Sequence, residues 1–358
     1  MSTQTPTLDV ILGAEESFPK FGEINDDIGW LLKQLRDDDD PTFLLTAQTK
    51  GRTRLSFPAA AALSEYMLRE ALRTEKVNRH DLYLLFLIIL FILILDDHID
   101  ITFVAETRTL DHVRQFADAL YDACERRDLD HDDLIIRYAA RLTERLRSYE
   151  VFDLYADLFF DELKRMLRGM VREYALSIPP SQRASLELSE ADVALEGYME
   201  DAFHTTGAAL GLLACLAFLG NREVAGRGEP LRVALEIIGS IVRYTNDIKT
   251  FARELREGKF VSALGLTAQK FGIKLKRIGE ALQENDIARL IRAMIVTEAY
   301  DLKDCLRYVD PDGDFEKIVH YTANAMVMLY IELDSDFHSF VLHSVTGTPR
   351  IPDEPAGA

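Results

Sequence analysis

The chain has 358 residues, 48% of them hydrophobic, and a formal charge of −19 at pH 7. That balance argues against a nucleic-acid partner, whose phosphates call for basic patches, and against anchoring on an anionic membrane surface. It permits a phosphorylated ligand if metal cations stand between the two negative charges. Cys124, Cys215 and Cys305 are too dispersed for a disulfide framework or a CxxC metal pair, and read as small core residues.

In chain order, residues 1–20 lack the basic and apolar regions of a secretory signal, so a cytoplasmic location is expected. No proline falls between Pro58 and Pro179, or between Pro230 and Pro311, which leaves room for long helices. Apolar spacings of three and four recur, for instance Phe116, Leu120 and Ala123, and Leu134, Tyr138, Leu142 and Leu146. No convincing period-two alternation is present. The pattern predicts an all-α chain, with helices over 24–36, 57–76, 80–102, 108–126, 132–148, 151–176, 189–219, 230–257, 262–271, 274–308 and 315–344. No Gly/Ser linker divides them. The expected organisation is a flexible segment 1–20, one helical domain 21–345 and a flexible tail 346–358. The apolar run Leu82–Leu95 is too short for a membrane span, which needs ~20 residues, and reads as a buried core helix.

That run leads directly into Asp96, Asp97 and Asp100. Carboxylates are costly to bury without compensation. On an α-helix Asp96 and Asp100 share a face, with Asp97 beside them, and like charges so placed repel. The arrangement makes sense as a grip on a hard divalent cation, which prefers oxygen. A second stripe follows in "NDIKTFARE", where Asn246, Thr250 and Glu254 also share one helical face. Amide oxygen, hydroxyl and carboxylate form an oxygen-only set that suits Mg²⁺ and not zinc. Arg253, next to Glu254, is placed to reach a phosphate oxygen.

Together the two stretches resemble the signature of class I terpene synthases. Asp96, Asp97 and Asp100 match that family's DDxx(D/E) motif. Asn246, Asp247, Thr250, Arg253 and Glu254 match its NDxx(S/T)xx(K/R)E motif. A lone DDxxD is weak; the paired motifs in one helical chain are specific. The resemblance implies a helical bundle around an apolar cavity, three Mg²⁺ ions with Mn²⁺ as a possible substitute, and a prenyl diphosphate substrate. It implies metal ligation by Asp96, Asp97, Asp100, Asn246, Thr250 and Glu254, with Asp96, Asp97 and Arg253 in the catalytic role. A closed apolar pocket would protect the carbocation from water, and aromatic faces would stabilise it. Cavity candidates, chosen by nearness to the motif helices and to the break expected around Thr205, Thr206 and Gly207, are Phe86, Phe91, Tyr198, Phe203, Gly207 and Tyr321.

The chain departs from the family where a diphosphate-sensing arginine is usual. Glu200 stands there, and no Lys or Arg occurs from Ala184 to Asn221. The anion contacts then fall to Arg253, Lys249, Arg243 and Lys259, with His204 as the one cationic candidate on the broken helix. Two further motifs are decoys. "DHDD", Asp130 to Asp133, fits the protonating motif of class II cyclases but lies in a charged loop. "DPDGD", Asp310 to Asp314, lacks the glycine and glutamate positions of a calcium loop and reads as a turn. The expected activity is that of an Mg²⁺-dependent cyclase, monomeric or homodimeric. "LREGKFVSAL" resembles bacterial diterpene synthases, which favours geranylgeranyl diphosphate; a copalyl-type diphosphate and farnesyl diphosphate are the alternatives. A chain-elongating prenyl transferase and a non-catalytic helical scaffold are the rival readings.

Overall fold

The computed structural model describes residues 30–31, 33–35, 53–178, 180–186, 198–257, 262, 286–310 and 313–327, with 53–59, 180, 198–200, 249–257, 286–292 and 327 described by backbone alone. No strand occurs among the described residues. The long helices are α1 (Thr53–Arg73), α2 (Arg79–Asp97), α3 (Leu110–Arg126), α4 (Leu134–Arg147), α5 (Ala156–Ser177), α6 (Tyr198–Thr205), α7 (Ala208–Leu219), α8 (Glu229–Glu257), α9 (Asp286–Val309) and α10 (Asp314–Val327). The expected boundaries at 20/21 and 345/346, the helix 262–271 and the parts 274–285 and 328–344 lie outside the described residues.

Short polar side chains start several of these helices as capping chemistry requires. Asn78 and Asp81 form a reciprocal capping box at the start of α2. Thr109 accepts from the His112 amide ahead of α3, and Asp133 accepts from the Ile135 and Ile136 amides ahead of α4. The last of these explains "DHDD": Asp133 is a helix cap, and Asp130 lies 3.5 Å from Arg141 at the surface. "DPDGD" is a cap as well, since Asp310 accepts from the Phe315 and Glu316 amides at 3.0 and 3.3 Å.

Two helices run through the interior. α2 packs on α1, α4 and α7, and α7 packs on α2, α5, α8 and α10. Both are apolar all round, the pattern of a helix surrounded by others. The helical stretch Arg79–Phe103 is long and apolar enough to cross a membrane, so the span is longer than the Leu82–Leu95 run alone; 78% of its most apolar window is buried in the bundle. Ion pairs Arg165–Glu236, at 3.0 Å, and Arg232–Asp161 tie α5 to α8. The Tyr155 hydroxyl donates to the Leu213 carbonyl at 2.9 Å, fixing the start of α5 against α7.

The predicted helix 189–219 is interrupted. α6 ends at Thr205 and α7 begins at Ala208, with Gly207 between them at φ +66°. That left-handed backbone favours glycine, and a Cβ there would lie 2.7 Å from two carbon atoms of Ile92. Backbone geometry and close packing on α2 therefore both require glycine at the break. Gly169 permits a second close approach: a Cβ on it would meet Thr205 Cγ2 at 2.5 Å and the Asp201 carbonyl at 2.8 Å, so α6 seats tightly on α5.

Candidate metal and diphosphate site

The aspartate motif closes α2, but not as one α-helical stripe. Asp96 and Asp97 end the α-helix, whereas Asp100 lies in a π-helical turn, His98–Phe103. The wider winding rotates Asp100 about the axis relative to the simple i, i+4 placement. The local cause is aromatic packing. A π turn brings residues five apart into register, and the His98 and Phe103 rings stand 4.5 Å apart, centroid to centroid. Phe116 of α3 closes the group, 5.5 Å from His98 and 5.2 Å from Phe103. Burial holds the His98 imidazole below its ordinary pKa, with Asp133 and Glu106 opposing.

Asp96 is partly buried, and its carboxyl is pushed well above the usual carboxylate range. Burial is the largest cause; repulsion from Asp100, Glu173 and Asp97 adds to it, and Arg243 opposes it. Glu173 belongs to α5 and Arg243 to α8, so charged side chains of both helices act on the end of α2. Arg243 is 7% exposed overall. It pairs with Glu173, donates to Thr205 Oγ1 at 3.2 Å and holds Asp247 Oδ1 at 2.9 Å from its Nε. Thr205 Oγ1 also donates to Glu173 at 3.3 Å. One arginine thus joins α5, α8 and the last residue of α6. Asp247 is wholly buried, so this aspartate of the second motif serves as the counter-ion of Arg243.

The other sequence candidates separate into groups. Asn246 is partly buried on α8. Lys249, Thr250, Arg253 and Glu254 continue that helix as backbone, their side chains lying outside the described residues; Tyr198 has the same standing on α6, and Lys259 lies outside altogether. His204 turns from the Arg243 cluster: its Nδ1 stands 2.7 Å from Glu162, both side chains buried, three turns or ~16 Å back along α5 from Glu173. Phe91 packs on Tyr138 of α4, and an offset of five residues carries it around the helix from Asp96. Phe86 is fully buried beside Tyr83. Phe203 meets Tyr244 edge-on at 5.8 Å, and Tyr321 meets Tyr66 at 6.0 Å. Gly207 lies against Ile92, which precedes Asp96 by four residues on the same face of α2.

Glu173 and the roles of Thr205 and Asp247 were not foreseen. Their only sequence signal was an arginine one helical turn before Asp247. On α5, Arg168 and Arg172 pair with the buried Asp201 of α6, Arg172 at 3.1 Å. A concavity of ≈ 580 Å³, lined in part by Arg69, Arg73, Arg79, Glu65 and Glu75, opens at the opposite end of α2. Its mixed charges suit neither the metal motifs nor a hydrocarbon.

The donor chemistry at the end of α2 fits a divalent cation. Asp96, Asp97 and Asp100 supply hard oxygens, and the crowding that raises Asp96 marks negative charge that Arg243 only partly offsets. Among the described residues, no three His, Cys, Asp or Glu side chains are already gathered as ligands to one ion.

Comparison with known proteins agrees with this geometry. The family model described as terpene synthase family 2, C-terminal metal binding, matches residues 87–284. A search of curated protein sequences found no match. Among solved structures, isoprene synthase from grey poplar leaves is 15% identical, with a TM-score of 0.60, over 93% of this chain and 59% of its own. Its complex with three Mg²⁺ ions and dimethylallyl-S-thiolodiphosphate gives the same identity and score, over 97% of this chain and 65% of that one. Abietadiene synthase from Abies grandis is 15% identical, with a TM-score of 0.60, over 91% of this chain and 40% of its own. Germacradien-4-ol synthase from Streptomyces citricolor is 16% identical, with a TM-score of 0.55, over 91% and 96%. This chain therefore spans about three-fifths of the isoprene synthase and nearly all of the Streptomyces enzyme. At these identities the structures establish the shared all-α fold, and the match over 87–284, which includes both motifs, places the chain in the terpene synthase family.

Proposed function

We propose that the protein is an Mg²⁺-dependent terpene cyclase that ionises a prenyl diphosphate, geranylgeranyl diphosphate in the first instance, and cyclises the resulting carbocation. The observation that supports this reading is that Arg243, one helical turn before Asp247 of the second motif, is among the charges acting on Asp96 of the first. Asp96, Asp97 and Asp100 would hold metal from one side, and Asn246, with Thr250 and Glu254 further along α8, from the other. Bound there, magnesium neutralises diphosphate and improves it as a leaving group. The solved complex of isoprene synthase with three Mg²⁺ ions and a thiolodiphosphate supports this assignment by analogy of fold.

Arg243 is the described cation best placed to take a diphosphate oxygen, and Arg253, Lys249 and Lys259 are its proposed partners. Ile92 and the break at Gly207 supply apolar surface next to the acidic end of α2, where water must be kept from a cation. The choice of a C20 substrate rests on the "LREGKFVSAL" stretch that follows the second motif.

The test is incubation of the purified chain with Mg²⁺ and each C10, C15 and C20 prenyl diphosphate, followed by gas chromatography of an organic extract. A cyclic hydrocarbon or alcohol from the C20 substrate without isopentenyl diphosphate is expected. A product from C15 alone moves the substrate to farnesyl diphosphate. An elongated diphosphate formed only with isopentenyl diphosphate makes the protein a prenyl transferase, and silence with every substrate overturns the enzymatic reading.

A further inference from the structure

Arg243 has an anionic partner that belongs to neither motif. Glu173 reaches it from α5, its side chain 13% exposed against 9% for that of Arg243. The same carboxylate raises Asp96 and accepts from Thr205 at the end of α6. A carboxylate that adds repulsion to an already crowded acidic site works against holding that site together. Its compensating partner is the arginine a diphosphate would need. Asp247, by contrast, sits one helical turn from Arg243 on the same helix, so it can stay paired while α5 and α8 exchange partners.

We infer that Glu173 is a placeholder anion: it occupies Arg243 until diphosphate arrives, and the incoming phosphoryl oxygens displace it. This rests on the reading of Arg243 as a diphosphate contact. In the resting chain Glu173 and Thr205 fix the guanidinium in place, so the arginine is already positioned when substrate enters. The placeholder weakens diphosphate affinity by competing for the same donors. Glu173 is thus a positioning residue, and removing its charge should tighten anion binding. A residue that merely built the site would weaken it on removal.

Isothermal titration of inorganic diphosphate in excess Mg²⁺ separates these cases in the full chain. Glu173→Gln should bind diphosphate roughly five-fold more tightly than wild type, the size expected for losing one partly exposed ionic competitor. Glu173→Asp retracts the carboxylate by one methylene and should move affinity in the same direction by less, which keeps the test open if the glutamine variant does not fold. Adding Arg243→Gln to either variant should erase the gain. Unchanged or weaker binding in the Glu173 variants overturns the placeholder role and leaves the cyclase reading intact. Failure of wild type to bind diphosphate with Mg²⁺ overturns the role of Arg243 as a diphosphate contact, and the placeholder with it.

Discussion

The two ends of α2 carry the same residue type in opposite circumstances. At the N-terminal end Asp81 is 4% exposed and well supplied with donors: the Asn78 amide reaches it at 2.8 Å, and the Tyr149 hydroxyl bonds it from across the bundle. The Asp81 carboxylate in turn raises the Tyr149 phenol, behind the larger effect of burial. At the C-terminal end Asp96 is crowded by Asp97, Asp100 and Glu173, with Arg243 as the opposing charge, and its carboxyl is driven upward. A helix built only for stability would treat both ends as it treats the first. The second end gathers carboxylates whose burial and mutual repulsion raise Asp96, which is the expected signature of a site that takes a cation.

The largest effect that can break this contrast is Asp96→Asn. Turnover of the proposed substrate should fall by at least ~100-fold, since an amide is a poor substitute for a metal-binding carboxylate. The same change should stabilise the metal-free fold, by on the order of 1–3 kcal/mol at pH 8, by relieving a buried uncompensated charge. The sign follows from linkage: a carboxyl raised in the folded state costs stability at pH above its folded pKa. That cost fades as pH falls toward the unfolded value of ~3.9. Thermal melts of both proteins between pH 4 and 8 should therefore show a gap that closes in acid. An asparagine variant less stable than wild type at pH 8, with the deficit vanishing in acid, would mean that Asp96 is stabilised as the anion.

Gly207→Ala should cost ~2–4 kcal/mol, from a left-handed backbone and a Cβ driven into Ile92, with activity reduced as α2 shifts; chemical denaturation reads the loss. The smallest effect belongs to the quiet end. Asn78→Ala removes a cap worth ~1 kcal/mol and should lower the melting temperature slightly while kcat stays unchanged. A large loss of activity there would erase the distinction between the ends.

What was legible in the sequence follows the same division. The core position of α2 could be read from its apolar run, because it depends on neighbours in the chain. The oxygen stripes were proposed because metal chemistry restricts the residue types allowed at a helical spacing, and the π turn takes Asp100 off the first of them. The π turn was not legible: it depends on His98 meeting Phe116 of α3, a contact no local pattern encodes. Glu173 was hidden for the same reason, since α5 carries no motif and only folding brings it to Arg243. The break at Gly207 was half legible, with Thr-Thr-Gly marking the place while the clash with Ile92 that demands glycine remained unseen. Phe91 was proposed from proximity in sequence, and its contact with Tyr138 of α4 was not foreseen.

The central claim is that the acidic end of α2 and the second motif on α8 bind divalent metal jointly with diphosphate. Electron paramagnetic resonance of free Mn²⁺, titrated into the protein with inorganic diphosphate present, tests it directly. The account predicts uptake of more than one ion per chain, abolished by either Asp97→Ala or Asn246→Ala in proteins whose helical circular dichroism is intact. Equal uptake by wild type and both variants would contradict it.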